Sequence, residues 1–240
     1  MSIAWLFAII IFFSVVQSVI GVGLLVFGTP TLLLLGYGFE ETLAIVLPSS
    51  ICISFLQVYE SKGASERYKK NFNFHCLPYV LIGTLIVLLS KANFDFKNFV
   101  GFMLIFSGTL RFSKRLSDYF SKIVSKYAKI YLAAMGTIHG LTNMGGGLLT
   151  YYSSTVNNNE KEATRTGVAY GYLFMGLIQY ITLVAFNRDL VNLNTLFFSV
   201  ASIITYLVLG KRVFNFTNNK VYNQLITGII FFYGITLVVA

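Results

Sequence analysis

Charged residues are scarce in this chain, and their scarcity excludes a soluble protein. Only 11% of the 240 residues are charged, 56% are hydrophobic, and the mean hydropathy is +0.72. Soluble domains carry about a quarter charged residues, so a globule of this composition would expose more apolar surface than solubility allows. Disordered, collagen-like and disulfide-scaffold classes are excluded with it. We predict a multi-pass protein in the lipid bilayer of the cell (inner) membrane.

Reactive groups are also sparse. The two cysteines, Cys52 and Cys76, form no Cys-x-x-Cys pair, which argues against a thiol-exchanging oxidoreductase. The sequence has no P-loop and no His-Glu-x-x-His motif, and no acidic residue lies inside an apolar stretch. ATP as the direct energy source, a metal enzyme and a carboxylate-based cation site are therefore disfavoured. We predict neither a cofactor nor a metal, and no enzymatic activity. The first apolar run lacks a basic leader and is expected to remain in the mature chain.

The net charge of +9 is explained by basic loops on the cytoplasmic side of a membrane rather than by nucleic acid. Lipid leaves no partner for open backbone groups, so the apolar segments must be helices. The predicted class is therefore an all-α polytopic membrane protein with about eight transmembrane helices. The eight apolar blocks are residues 3–23, 43–59, 74–89, 99–110, 130–147, 168–186, 193–209 and 221–240.

Glycine-rich breaks interrupt two of these blocks. Residues 2–35 carry no charge, but Gly21-Val22-Gly23 lies in their middle and Gly28-Thr29-Pro30 follows. Glycine and proline weaken helical continuity, so we predict a spanning helix, a break and a short re-entrant or half-length helix. The same pattern returns at Asn143-Met144-Gly145-Gly146-Gly147, followed by a short apolar run.

The two halves of the chain resemble each other at their polar and glycine positions. A shift of about 120 residues aligns Gln17 with His139, and Gly23 with Gly145. The same shift pairs the following residues: Glu40 with Glu162, Thr42 with Thr164, and Gln57 with Gln179. Residues 94–98 likewise match residues 214–218. We predict two related four-helix repeats, residues 1–110 and 130–240, joined by a basic amphipathic linker at residues 111–129.

The relative direction of the two repeats stays open at this level. With eight simple crossings, the positive-inside rule places both termini in the cytoplasm. In this arrangement, the loops on the side of the termini hold eleven basic residues and the loops on the other side hold seven. A break that turned the chain back would invert one repeat and change this count.

Duplicated units built around discontinuous helices are typical of secondary transporters, whose substrate site lies between the repeats. The N-terminus of a half-helix presents free N–H groups and the positive end of a dipole, which suits an anion. The expected partner is thus a small anionic substrate, and self-association into a homodimer is left open.

Two segments carry a resemblance to a known family. One is the glycine break followed by Pro30-Thr31-Leu32-Leu33-Leu34-Leu35-Gly36, and the other is Gly140-Leu141-Thr142-Asn143-Met144-Gly145-Gly146-Gly147. In these motifs, in length and in helix number the chain resembles the sulfite exporter TauE/SafE family. The resemblance implies export or import of a small sulfur-containing anion such as sulfite or an organosulfonate. We predict a secondary transporter that acts as an exporter.

The candidate substrate-binding residues come from the breaks and their polar neighbours. His139 is either a carrier of charge for an anion or a neutral residue bonding to another helix. Arg165 either pairs with a sulfonate or forms a salt bridge with Glu162. The hydroxyls can bind substrate or hydrogen-bond to the backbone of their own helix. The glutamines can bind substrate or hydrogen-bond to another helix. The glycines can expose N–H groups to substrate or allow close packing of helices. The full set is Gln17, Ser18, Gly21, Gly23, Thr29, Gln57, His139, Thr142, Asn143, Gly145, Gly146, Gly147, Arg165 and Gln179.

Two alternative functions remain at this stage. One is an intramembrane enzyme or assembly factor that uses His139. The other is a channel or carrier for an unrelated small solute. The coupling ion is not indicated by any motif.

Overall fold

The computed structural model describes residues 3–61, 63–90, 113–190 and 193–239, together with positions 102, 105, 106, 108 and 109. All regular secondary structure in these residues is helical, which confirms the predicted all-α class. The matched segment 94–98 and most of the apolar block 99–110 lie outside the described residues.

The first half contains two helices that flank a break, followed by a long helix and a helix pair. A π-helix, Leu24–Gly28, leads directly into the short α-helix Thr29–Leu34. The α-helices are α1 (Ile3–Ile20), α2 (Thr29–Leu34), α3 (Phe39–Glu60), α4 (Glu66–His75) and α5 (Leu77–Ser90).

The second half has a comparable order after an amphipathic helix. A 3₁₀ turn, Arg188–Leu190, and a second π-helix, Tyr206–Gly210, interrupt it. The α-helices are α6 (Lys114–Lys126), α7 (Ala128–Thr142), α8 (Gly146–Val156), α9 (Lys161–Phe186), α10 (Leu193–Thr205), α11 (Lys211–Phe216) and α12 (Asn219–Val239).

Five helical stretches in the described part are long and apolar enough to cross a membrane. Large apolar side chains face outward from the bundle, among them Trp5, Phe12, Ile181 and Phe232, as lipid-facing residues do. The amphipathic helix expected within residues 111–129 is present as α6, and its Leu116 and Tyr119 are exposed. The five stretches are Ile3–Ile20, Phe39–Glu60, Glu66–Ser90, Lys161–Phe186 and Thr195–Phe216.

The long helices α3 and α9 pack side by side and run in opposite directions. At one end, Glu40 in the first turn of α3 accepts a hydrogen bond from Asn187, which follows α9. At the other end, Glu60 closes α3 beside Arg165, near the start of α9, in a shared pocket. Helices α3 and α9 follow the first and the second break at corresponding positions. Because they are antiparallel, the two breaks are approached from opposite directions.

The helix pair α4–α5 runs alongside α9 in the same direction. The Tyr68 hydroxyl donates to the Gly167 carbonyl at 2.9 Å, and the Cys76 thiol approaches the Met175 sulfur at 4.0 Å. Helix α5 also packs closely on α7, where a Cβ added to Gly140 would lie 2.4 Å from the Val80 carbonyl oxygen. Small residues allow such backbone-to-backbone contact in membranes.

Candidate functional site

The first break begins where α1 ends at a left-handed residue. Gly21 has φ +90° and its N–H donates to the Gln17 carbonyl at 2.8 Å. A Cβ on Gly23 would lie 2.4 Å from the Phe13 carbonyl oxygen, so only glycine fits there. Phe27 then lies 6.1 Å from Phe13 between ring centroids. The chain therefore folds back along α1 rather than continuing across the membrane.

Gln17 and Gln57 hold this first break together. The Gln17 Oε1 accepts the Leu24 N–H at 3.1 Å, while its Nε2 donates to the hydroxyl of Ser50 at 2.9 Å. The Gln57 Nε2 donates to the carbonyls of Gln17 at 3.0 Å and Ser18 at 3.1 Å. One glutamine thus caps the short helix, and the other binds the carbonyl end of α1.

The second break uses the same arrangement with different residues. Asn143 adopts the left-handed conformation (φ 59°), and its N–H donates to the His139 carbonyl at 2.7 Å. The His139 Nδ1 accepts the Gly145 N–H at 3.2 Å. The Gln179 Nε2 donates to the same His139 carbonyl at 3.4 Å. His139 therefore takes the position of Gln17, and Gln179 that of Gln57, 122 residues further along.

The two breaks contact each other inside the protein. The Asn143 Nδ2 donates to the Thr29 Oγ1 at 2.8 Å, and both residues are fully buried. A Cβ on Gly146 would lie 2.2 Å from a methyl carbon of Val26 and 1.7 Å from the Tyr172 hydroxyl oxygen. The start of α8 is therefore enclosed by the first break on one side and by α9 on the other.

Several buried polar atoms around this second break have no hydrogen-bond partner. Four such atoms are the His139 Nε2, the Asn143 Oδ1, the Tyr172 hydroxyl and the Gln179 Oε1. Buried polar groups in native proteins nearly always find a partner in protein, water or ligand. Gly146 and Gly147 form the first turn of α8, whose leading N–H groups have no acceptor within the helix. Together these groups are suited to a small polar ligand.

The hydrogen bond accepted by His139 decides its protonation state. A ring that accepts an N–H at Nδ1 is neutral and carries its proton on Nε2. Protonation of Nδ1 would break the cap of the Gly145 N–H. The charged histidine considered from the sequence therefore does not fit this geometry, whereas a neutral Nε2–H donor does.

Other candidate residues have different environments. The hydroxyls of Ser18 and Thr142 donate to the backbone carbonyls of Ser14 (2.6 Å) and Ile138 (2.7 Å) in their own helices, which is the alternative role considered for them. Arg165 forms no ion pair with Glu162 in the structure; its Nη2 donates to the Tyr206 hydroxyl at 3.2 Å.

Arg165 lies in a pocket of about 450 Å³ beside the first break. Its guanidinium carbon lies 3.8 Å from the centroid of the Phe214 ring, a cation–π contact. The Glu60 carboxylate accepts the Tyr206 hydroxyl at 2.7 Å and pairs with Lys211 at 3.0 Å. The Arg165 Nε is buried without a hydrogen-bond partner, so one donor of this side chain is unsatisfied.

Sequence reasoning missed Tyr172 and the Glu60–Tyr206–Lys211 group. One signal for Tyr172 existed, because Arg165, Tyr172 and Gln179 are spaced by seven residues and so share one face of α9. We call these three residues the α9 stripe. The Glu60 group had no signal, since its members come from helices far apart in sequence.

Comparison with known proteins matches the amino-acid sequence to one family. The family model described as "Sulfite exporter TauE/SafE" matches residues 6–237, nearly the whole chain. No curated protein and no solved structure gives a significant match. The family comprises membrane transporters, in agreement with the apolar helices and the discontinuous segments described above. The chain belongs to the sulfite exporter TauE/SafE family.

Proposed function

We propose that this protein is a secondary transporter that exports a small sulfur-containing anion, such as sulfite or an organosulfonate. The observation that carries the proposal is the contact between two helix breaks at the Asn143–Thr29 hydrogen bond and at Gly146. Discontinuous helices that meet between two halves of a membrane protein form substrate sites in secondary transporters.

The proposal includes an inverted repeat. Residues 1–110 and 130–240 would be the two units, and residues 111–129 the linker between them. Two observations support this. The hydrogen bonds of Gln17 and Gln57 recur at His139 and Gln179, and α3 and α9 run in opposite directions. Two units of opposite direction allow the same site to face either side of the membrane in turn.

The second break supplies the donors for the anion. The N–H groups at the start of α8 and the positive end of its dipole attract negative charge. The Tyr172 hydroxyl and the His139 Nε2–H add two side-chain donors that have no other partner. The Asn143 and Gln179 oxygens accept hydrogen bonds, so they suit an anion that also carries a proton, such as hydrogen sulfite.

Export of such an anion needs no coupled ion. A membrane potential that is negative inside favours outward movement of an anion by roughly 2.3 kcal/mol per charge per 100 mV. The donors proposed at the second break are uncharged, so the substrate would cross the membrane with its own negative charge.

Transport by the purified protein tests this function. Protein in liposomes should move radiolabelled sulfite down an imposed potential without any added partner, and unlabelled organosulfonates should compete. Liposomes with the Gly146→Leu variant serve as the matched control. Failure of the wild-type protein to move any sulfur anion would contradict the proposal. In that event, movement of an unrelated solute would favour a carrier of another class, and activity that required a partner protein would favour an assembly factor.

A further inference from the structure

Basic residues in the described part of the chain lie almost entirely on one face of the bundle. Thirteen of its fourteen lysines and arginines lie at the start of α4, on α6 and the start of α7, in the first turns of α9, and around the junction of α11 and α12. The Lys211–Glu60 pair joins the α11–α12 junction to the end of α3, and the Lys161–Thr217 bond joins it to the start of α9. The fourteenth, Arg188, lies beyond α9 at the opposite end.

Both ends of the described chain lie on the face away from this charge. Gln17, near the end of α1, bonds to Ser50 and Ser54 in the second half of α3, so α1 and α3 run in the same direction. Tyr222, at the start of α12, donates to the Ile20 carbonyl, whereas Tyr233 donates to the Phe27 carbonyl of the returning segment. The start of α1 and the end of α12 therefore share the face that carries Glu40.

Cytoplasmic faces of membrane proteins collect lysine and arginine, so the charge-rich face is the cytoplasmic one. This orientation is the reverse of that expected from eight simple crossings. The reason is that the first break returns α2 along α1, and the second returns α8 along α7, where the Tyr131 hydroxyl donates to the Leu148 carbonyl at 2.8 Å. A chain that turns back at each break reaches the next loop on the other side of the membrane.

We propose that the Arg165 pocket is the cytoplasmic mouth of the transport path and binds the small oxyanion first, with Arg165 as its ligand. The inference rests on the proposed function. Beyond that function, it assigns which face of the protein is cytoplasmic and where the anion enters.

The pocket has the chemistry for this role although carboxylates also line it. Glu60 is engaged by Lys211 and Tyr206, and Glu160 accepts the Ala163 N–H as the cap of α9. Glu162 is exposed to solvent. Arg165 is held by Phe214 and Tyr206 but keeps a buried, unpartnered Nε. A guanidinium offers a planar fork of N–H donors that fits two oxygens of a sulfur oxyanion.

The pocket also leads toward the breaks. Gln57, one of its lining residues, binds the carbonyl end of α1. The next turn of α9 packs on the first break, where a Cβ on Gly21 would lie 3.1 Å from a methyl carbon of Val168. Tyr172 follows Arg165 by about 10 Å along the helix axis, since each residue rises 1.5 Å. The α9 stripe thus connects the mouth to the unpartnered groups at the second break.

Cysteine accessibility tests the sidedness independently of transport. In a background of Cys52→Ser and Cys76→Ala, a membrane-impermeant thiol reagent is applied to intact cells and to inside-out vesicles. Ala163→Cys, in the pocket wall, should react only in inside-out vesicles, and sulfite should slow its reaction. Asp189→Cys, on the opposite face, should react only in intact cells. Reaction of Ala163→Cys in intact cells would overturn the proposed orientation, even for a protein that transports sulfite.

Transport variants test the role of Arg165. Sulfite is supplied from the cytoplasmic side of inside-out vesicles. Under these conditions Arg165→Gln should raise the KM for sulfite at least tenfold, the usual scale for loss of a charge-assisted hydrogen bond. Arg165→Lys keeps the charge but loses the planar set of guanidinium donors, so its KM should lie between those of the wild type and Arg165→Gln. Arg212→Gln, an exposed change of equal charge on the same face, is the control and should stay within about twofold of wild type. Equal KM values for Arg165→Gln and Arg212→Gln, at equal amounts of folded protein, would refute the site while leaving the transport function intact.

Discussion

The first and second breaks share a backbone plan but differ in how completely their side chains are used. In the first break, Gln17 employs both ends of its amide, as the acceptor for Leu24 and the donor to Ser50. In the second, His139 uses only Nδ1, and its Nε2 and the Tyr172 hydroxyl remain unpartnered. Under the proposed function, the same structural device serves as a scaffold in the first half of the protein and as a binding site in the second.

The largest effect is expected from filling the contact between the breaks. Gly146→Leu places a side chain where even a Cβ would lie 1.7 Å from the Tyr172 hydroxyl oxygen. Overpacking of this kind costs about 1–3 kcal/mol or more, so transport should be lost and the Tm should fall. Gly28→Ala is the matched control in the first half, because its nearest neighbour would be 3.6 Å away in Val46. A Gly146→Leu protein that transports normally would show that the start of α8 neither binds substrate nor packs tightly.

Tyr172→Phe separates binding from stability. Removing a buried hydroxyl that has no partner should leave the free energy of unfolding unchanged or raise it by about 1 kcal/mol, whereas sulfite affinity should fall about tenfold if the hydroxyl donates to the anion. Tyr68→Phe is the control, since that hydroxyl contacts Ser153 and Gly167. It should lower the Tm without changing the affinity of the folded protein. If Tyr172→Phe lowers stability and leaves affinity unchanged, the hydroxyl has a structural role only.

Substitutions of His139 sharpen the comparison with Gln17. In His139→Gln, the amide oxygen can cap the Gly145 N–H as Gln17 caps Leu24, so stability should stay within about 1 kcal/mol of wild type. His139→Leu leaves that N–H without an acceptor and should cost about 1–3 kcal/mol. Thermal unfolding measures both.

The pH dependence of His139→Gln tests the neutral ring. Because protonation at Nδ1 would break the bond to Gly145, binding of a permanently ionised sulfonate should have the same pH profile in wild type and in His139→Gln. A rise in affinity at acid pH that disappears in the variant would show instead that a charged histidine binds the anion.

Substitution of the two glutamines that hold the helix ends compares the stability of the two breaks. Gln57 makes two bonds of 3.0 and 3.1 Å to α1, whereas Gln179 makes one of 3.4 Å to α7. Gln57→Leu should therefore destabilise the protein by about 1–3 kcal/mol, and Gln179→Leu by less than about 1 kcal/mol. Denaturant or thermal unfolding in detergent measures the difference. The opposite order would mean that the second break, not the first, is the rigid one.

Both breaks could be predicted from sequence because their causes are local. Gly21 and Asn143 occupy left-handed positions, and glycine and asparagine are the residues that tolerate this conformation. Gly23 is needed because the backbone passes close to α1. The correspondence of Gln17 with His139 was also visible, since both precede a break by the same distance. Helix α6 was predictable from the spacing of its apolar residues opposite its lysines.

The orientation and the site's tyrosine could not be predicted in the same way. Whether a break turns the chain back depends on packing of its residues against α1, such as Gly23 against Phe13, and this decides on which side every later loop lies. Tyr172 is one of 15 tyrosines, and only the fold brings its hydroxyl to Gly146. The pairing of Arg165 with Tyr206 instead of Glu162 likewise depends on contacts between distant helices.

The central claim is that the breaks form one anion site, reached from the Arg165 pocket. Titration calorimetry of the purified protein with a permanently ionised sulfonate tests it most directly, in the wild type, Arg165→Gln beside the first break and Tyr172→Phe at the second. We expect a loss of sulfonate affinity of about tenfold in each variant, in the entry pocket for Arg165→Gln and at the second break for Tyr172→Phe. Wild-type affinity in both variants would contradict the proposed path.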